Sequence, residues 1–213
     1  MNVFKKLFSK TKTYKILSWI HGRYMEDQYM ENNPERFRKY GEGVHIDRNV
    51  SINMPERVIL NDHVVIHKGT VINSMGGLYI GRYTGIGYNC AIFTVQHRYR
   101  NSDTIPFDRV ADLKPVIIRD FVWFGFGVMV MPGVEIGEGA ILGMGSVITK
   151  KVPPLAILTG NPAEIIGYRS KEHFNKCKEE EQFQSGIVGD YEENLIRMYK
   201  IRYEKELKEL GML

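Results

Sequence analysis

The sequence predicts an all-β core: a parallel β-helix of three-sided coils, interrupted by one extended loop and flanked by N- and C-terminal α-helices. Three observations lead there. From Val116 to Val152 the chain repeats in sixes. Large residues stand at Ile118, Phe124, Val130, Ile136, Leu142 and Ile148, and small or β-branched ones four places later, at Val122, Val128, Val134, Ala140, Ser146 and Val152. A period of six fits neither a helix nor a two-faced strand; it is the repeat of a stacked β-helix. Residues 95–115, polar and aromatic, break the pattern, which resumes in register at Val116. Helical spacing is confined to the two ends of the chain.

The repeat has a simple physical basis. Three hexads make one triangular coil, each supplying a flat side and a corner. The large aliphatic side chain points inward and stacks on its equivalent in the next coil, and a small one fits near the corner. The place after the large residue is expected to turn the chain tightly, which would account for Gly125, Gly137 and Gly143. No single coil buries its own apolar face, so stacking must do it.

Taken in order, residues 1–40 form an N-terminal helical segment. Phe4, Leu7, Phe8, Tyr14, Leu17 and Tyr24 recur at helical spacing, with Lys5, Lys6, Lys10, Lys12 and Lys15 between them. Such a helix docks on the prism or on a neighbouring subunit, and residues 1–20 could make weak contact with an anionic membrane surface. Asn32-Asn33-Pro34 ends it. The β-helix is assigned to residues 41–168, beginning imperfectly near residue 42 with Ile46 and Val50, then Leu60 and Val64, and Ile66 and Thr70. Ile80 with Thr84 and Ile86 with Cys90 are clean hexads. Asn73-Ser-Met-Gly-Gly77 reads as a small excursion. The loop 95–115 is too long for a structureless connection in a compact repeat, so it is expected to be an ordered functional projection. A C-terminal helical tail follows over residues 169–213, with Ser170-Lys-Glu-His as a helix start.

Composition narrows the function. The 213 residues suffice for one domain with appendages, and 43% hydrophobic with 25% charged residues suits a soluble protein. A net charge of +4 suits anionic ligands without requiring nucleic acid. Cys90 and Cys177 are too few for a disulfide framework, and Cys90 falls on an inward position. No apolar run reaches transmembrane length and no signal peptide is visible, so the expected compartment is the cytoplasm.

The uninterrupted hexads, closed by Gly160-Asn161-Pro162-Ala163, resemble the hexapeptide-repeat acyltransferases of left-handed β-helix fold. That resemblance covers about residues 42–169. It implies left-handed coils, a homotrimer with sites between subunits, and an acetyl-coenzyme A (acetyl-CoA)-dependent O-acetyltransferase acting on a sugar or polysaccharide hydroxyl, as in polysaccharide biosynthesis. No metal is expected. His97, in Thr94-Val-Gln-His97, opens the long insertion, and the resemblance makes it the catalytic histidine. A neutral imidazole there would take the proton of a poorly nucleophilic hydroxyl as it attacks the thioester, by direct transfer without an acyl-enzyme. A backbone amide would hold the oxyanion. A carboxylate or a carbonyl would orient the ring, with Asp103, Asp108 and Asp112 as unranked candidates from the loop.

By the same resemblance, Trp123 in Val122-Trp-Phe-Gly125 and Asn73 line the acceptor site. The coenzyme would lie along Gly143-Met-Gly-Ser-Val-Ile-Thr-Lys150. There Gly143 and Gly145 leave the edge bare for the pantetheine arm, and Thr149 and Lys150 approach its nucleotide end. Phe126 and Met144 stand where smaller residues are common and would narrow the channel. Glu164 and Gly167 stand where the family often has basic residues, so Arg169 is the expected substitute, grouped with Lys150, Lys151 and Lys171.

Three alternatives compete. A γ-class carbonic anhydrase shares the prism but needs three histidines converging on zinc, and His97 has no partner five places on. A non-enzymatic scaffold would not need the histidine-bearing insertion, the bare edge and the basic terminus together. N-acetylation of a nucleotide-linked amino sugar often comes with an N-terminal nucleotide-binding domain, which the first 40 residues are too few to form.

Overall fold

A computed structural model describes residues 33–184 and Lys208. The helix expected over the first part of the chain and the helical pattern of residues 190–210, Lys208 apart, lie outside the described residues. So does the surface expected to touch a membrane. Among the described residues no helix is long and apolar enough to cross a membrane.

The fold is a left-handed parallel β-helix with three faces. The first face stacks Lys39–Tyr40, Val58–Leu60, Leu78–Ile80, Val116–Ile118 and Glu135–Ile136. On the second face lie His45–Ile46, Val65–Ile66, Gly85–Ile86, Trp123–Phe124, Ile141–Leu142 and Ala156–Thr159, capped by the antiparallel strand Glu164–Tyr168. The third face holds Ser51–Asn53, Val71–Asn73, Ala91–Phe93, Met129–Val130 and Val147–Ile148. The first rung, Lys39–Tyr40, pairs with Ile59 and Leu60, so coiling begins ahead of Gly41.

Inside, the columns are those the hexads predict. Ile46, Ile66, Ile86, Phe124, Leu142 and Leu158 stack beneath the second face, all buried, and Leu60, Ile80, Ile118 and Ile136 beneath the first. Each such side chain contributes roughly 1.5–3 kcal/mol by leaving water. The small inward positions are also filled as expected, including Cys90, whose burial raises its thiol pKa. Buried hydroxyls find backbone partners: Thr70 donates to the Gly87 carbonyl at 3.1 Å and Thr84 to that of Arg119 at 3.0 Å.

The corners correct one expectation. Gly125, Gly137 and Gly143 are not the residues with left-handed backbone. They are bare because the next coil passes too close: a Cβ at Gly137 would stand 2.4 Å from the Pro154 nitrogen, and one at Gly125 2.7 Å from the Met144 nitrogen. The left-handed turn comes two positions later, at Gly127, Gly139 and Gly145. The same place is filled by Asn49 and Asn89 on one edge and by His63, Tyr83 and Phe121 on another. A side chain there costs about 1–2 kcal/mol. Along the second of these edges, stacking of His63 on Tyr83 (centroids 4.6 Å apart) and of Tyr83 on Phe121 (5.7 Å) offsets part of that cost.

Beyond the last coil, Ser170 caps helix α1 (Lys171–Glu179) by accepting from the His173 amide at 3.2 Å. The two roles of glycine separate by experiment. Gly137→Ala is expected to lower stability by about 1–3 kcal/mol through overpacking. Gly127→Asn, at a place where the coil before carries Asn89, should cost less than about 1 kcal/mol. Urea unfolding of both variants measures the difference.

Candidate active site

The excursions from the prism among the described residues occur at the corner between the third and first faces. The early coils carry Met54 to Arg57 and Ser74 to Gly77 there, and the next carries the whole segment 94–115. Its neck is closed by Thr94. The buried hydroxyl donates to the Asn73 carbonyl at 2.8 Å and accepts from the Gly76 amide at 2.7 Å, while the Thr94 carbonyl accepts from the Lys114 amide at 2.8 Å. From this neck Val95–His97 runs antiparallel to Ala111–Leu113, with His97 opposite Ala111. The loop is therefore an antiparallel ribbon.

The ribbon is held further out by Arg98. Its Nε donates to Asp108 Oδ2 at 2.6 Å and its Nη2 to Asp103 Oδ2 at 2.9 Å. Asp108 is buried and also accepts from the Val110 amide at 2.8 Å. The Arg98 hydrogen bond outweighs the effect of burial and holds the Asp108 carboxyl below its ordinary range. Asp108 in turn raises the Arg98 guanidinium.

His97 stands exposed on the ribbon, its ring stacked on Phe107 with centroids 4.3 Å apart and planes 23° from parallel. The candidate carboxylates of the loop are engaged elsewhere or face away. Asp103 and Asp108 are committed to Arg98, and Asp112 lies opposite Gln96, on the other side of the ribbon from His97. Among the described residues the ring's neighbour is Phe107. An aromatic residue within the insertion was the one sequence signal for it.

The other expected site residues divide between the edges. Asn73 ends a third-face strand beneath the neck; its Oδ1 accepts from Asn53 at 3.2 Å and from the Met75 amide at 3.3 Å. Thr149 and Lys150 follow the last third-face strand on the same edge as the ribbon. Phe126, Gly143, Met144 and Gly145 lie on the opposite edge of the third face, where it meets the second. Phe126 and Met144 are 51% and 73% exposed, and Trp123, on the adjoining second face, is 57% exposed. Within one chain, then, the third face separates His97 from Trp123 and the glycine edge. That face carries exposed Val71, Phe93 and Met129.

The expected basic group does not assemble. Lys150 pairs with Glu164 at 3.2 Å and Lys151 with Glu135 at 2.8 Å. Arg169 instead lines a cavity against the second face, together with Trp123. Elsewhere, Asp47 sits between His45 (2.9 Å) and His67 (3.1 Å) and ties the first two coils together. Burial raises its carboxyl, but bonds from His67, the Lys68 amide and His45 outweigh that and leave it below the ordinary value. Among the described residues no set of three ligating side chains converges as a metal site.

Comparison with known proteins fits this architecture. Residues 115–150 match the bacterial transferase hexapeptide (six repeats) model. A Schizosaccharomyces pombe protein provisionally named an acetyltransferase is 42% identical over 91 residues, 41% of each chain. A Staphylococcus aureus protein, also provisionally named an acetyltransferase, is 35% identical over 128 residues, 55% of this chain and 61% of that one. The chain thus spans about half the length of these curated relatives. Among solved structures, the Vibrio cholerae hexapeptide-repeat acetyltransferase complexed with acetyl coenzyme A superposes with a TM-score of 0.62 at 22% identity, covering 76% of this chain and 92% of that one. A Clostridium difficile maltose O-acetyltransferase gives 0.60 at 24%, covering 78% and 89%. A point mutant of the Bacillus cereus N-acyltransferase AntD, in complex with dTDP-4-amino-4,6-dideoxyglucose and coenzyme A, gives 0.58 at 18%, covering 72% and 96%. The chain carries the hexapeptide repeat of bacterial transferases and is similar in sequence and fold to hexapeptide-repeat acetyltransferases.

The Arg98 clasp makes a testable claim. Because the folded-state pKa of Asp108 is lowered, its contribution is whole above pH about 4 and is lost as pH falls through the folded value. Hydrogen exchange, corrected for intrinsic rates, should show ribbon strands 95–97 and 111–113 losing protection in that range while 116–118 keeps its own. Asp108→Ala should reproduce the loss at neutral pH.

Proposed function

We propose that the chain is an acetyl-CoA-dependent O-acetyltransferase that acetylates a sugar or polysaccharide hydroxyl, working in the cytoplasm as a homotrimer. The observation carrying this reading is the exposed His97 imidazole on a clasped ribbon at one prism edge, combined with the bare glycine edge beyond the third face. The sequence relatives and fold neighbours favour the same chemistry.

In this reading three copies turn their third faces inward and cover Val71, Phe93 and Met129. The ribbon edge of one copy then adjoins the glycine edge of the next, so each site draws on two subunits. His97 and Asn73 come from one copy, with Thr149 and Lys150 further along its edge. Trp123, Phe126, Gly143, Met144 and Gly145 come from the other. The pantetheine arm lies along this edge, where Gly145 leaves open space while Gly143 is bare because the next coil fills its place. Lys150 exchanges its exposed partner Glu164 for a coenzyme phosphate, at small cost, since exposed ion pairs contribute little.

The acceptor hydroxyl oxygen attacks the thioester carbonyl carbon as His97 takes its proton. The tetrahedral intermediate collapses, the carbon–sulfur bond breaks, and the proton passes to the departing thiolate. The products are an acetyl ester and free coenzyme A. Stacking on Phe107 limits rotation of the imidazole in place of an orienting carboxylate.

His97→Ala should lower turnover by about 10²–10⁴-fold, read as thiol release, while acetyl-CoA binding by calorimetry stays unchanged. Full activity in this variant would exclude the mechanism. For the shared site, His97→Ala and Trp123→Ala subunits, each inactive alone, are unfolded and refolded together. Random mixing in a trimer rebuilds about a quarter of the sites; no recovery would place both residues in one subunit's site. Hydroxyl and amino sugars offered side by side distinguish O- from N-transfer.

A further inference from the structure

The cavity on the second face has a chemistry of its own. It encloses about 590 Å³ between the coil surface and helix α1. Its floor is strand Gly85–Ile86, where Gly85 is bare: a Cβ built there meets no atom within 4 Å. Trp123 stands next to Gly85 in register and is 57% exposed. Opposite lies Arg169, whose amide is tied to the Leu155 carbonyl at 2.8 Å. The guanidinium is half-buried, and its Nε is shielded from solvent with no hydrogen-bond partner among the described residues. Burial alone lowers its pKa, although a guanidinium stays charged at any physiological pH.

Among the described residues no carboxylate lines this cavity. Its other cation, Lys178, is already paired with Glu138 at 2.6 Å. A desolvated cation without a counter-charge is costly unless an anion completes it. A planar fork with a free N–H is suited to carboxylate or phosphate oxygens. An exposed indole beside a bare strand offers a flat apolar surface for the face of a pyranose ring.

We infer that this cavity binds a carbohydrate bearing a negative charge, with Arg169 as the charge partner and Trp123 beneath the ring. The inference deepens the proposed function and rests on it for the sugar: an acceptor held here would be an acidic or phosphorylated sugar unit. Arg169, first expected at the coenzyme phosphates, thereby becomes an acceptor-specificity residue.

The test uses the full chain with coenzyme A bound. Glucuronate and glucose 1-phosphate are titrated against glucose by calorimetry, and the same sugars are offered with acetyl-CoA. The expected result is tighter binding of the anionic sugars. Arg169→Gln should weaken that binding roughly tenfold or more, the scale of a charge-assisted hydrogen bond, and leave glucose unchanged. Gly85→Ala, whose added methyl meets no atom within 4 Å, narrows the floor and should weaken all three alike. Thermal melts of both variants establish that they fold. Equal binding of charged and neutral sugars, no binding of either anion, or anion binding indifferent to Arg169→Gln would overturn the inference. Thiol release with no preference for charge would overturn it too, yet leave the acetyltransferase reading standing. Charge-dependent binding without thiol release from any of the three would keep the anion site but overturn its role as the acceptor site, while the His97→Ala experiment still decides the acetyltransferase reading.

Discussion

Every coil of this protein must follow the one before it at the spacing of a β-ladder, about 4.8 Å. That constraint governs the corners more than the faces. On a face the side chains alternate in and out and have room. At a corner the backbone of the next coil can pass so closely that a side chain has no room, as Gly125 beneath Met144 and Gly137 beneath Pro154 show. A second position must turn left-handed, and only residues that tolerate or offset that conformation stand there. The edges of the prism are thus its least forgiving lines, and the proposed chemistry uses the same lines. A bare edge suits a thin extended arm, and a corner is where the chain can leave the stack without breaking a ladder.

The ribbon bearing His97 shows how such a departure is made rigid. Thr94 is buried like the small inward residue of any hexad, yet its hydroxyl and carbonyl hold both strands of the neck as well as the coil below. Further out, Arg98 clasps two carboxylates and draws the ribbon together around the buried Asp108. The imidazole therefore projects from a doubly anchored element, and Phe107 limits its rotation. Precision in the proposed reaction depends on these neighbours as much as on the ring itself.

Much of this was legible in the sequence because the core is periodic. Ile118, Phe124 and their successors announce the inward columns, and the lapse of register after Ile92 announces the insertion. The meaning of the glycines was not legible. A residue kept bare by a neighbouring coil and one kept flexible for its own turn look alike in sequence, and only the stacked structure separates Gly125 from Gly127. Pairings inside the insertion were hidden as well. With three carboxylates available, nothing local reveals that Asp103 and Asp108 serve Arg98. The place of Arg169 was hidden for a related reason: its position along the chain is close to the closing Gly-Asn-Pro-Ala turn, but the antiparallel strand Glu164–Tyr168 carries it back across the second face. Where periodicity rules, sequence suffices; where the chain reverses, distant contacts decide.

The closed neck at Thr94 and Lys114 has an evolutionary consequence. Because the insertion begins and ends on bonds of its own, its outer part can be lengthened, shortened or exchanged while the coils on either side keep their register. Such an arrangement would let the outer surface diversify in a lineage without reopening the problem of folding.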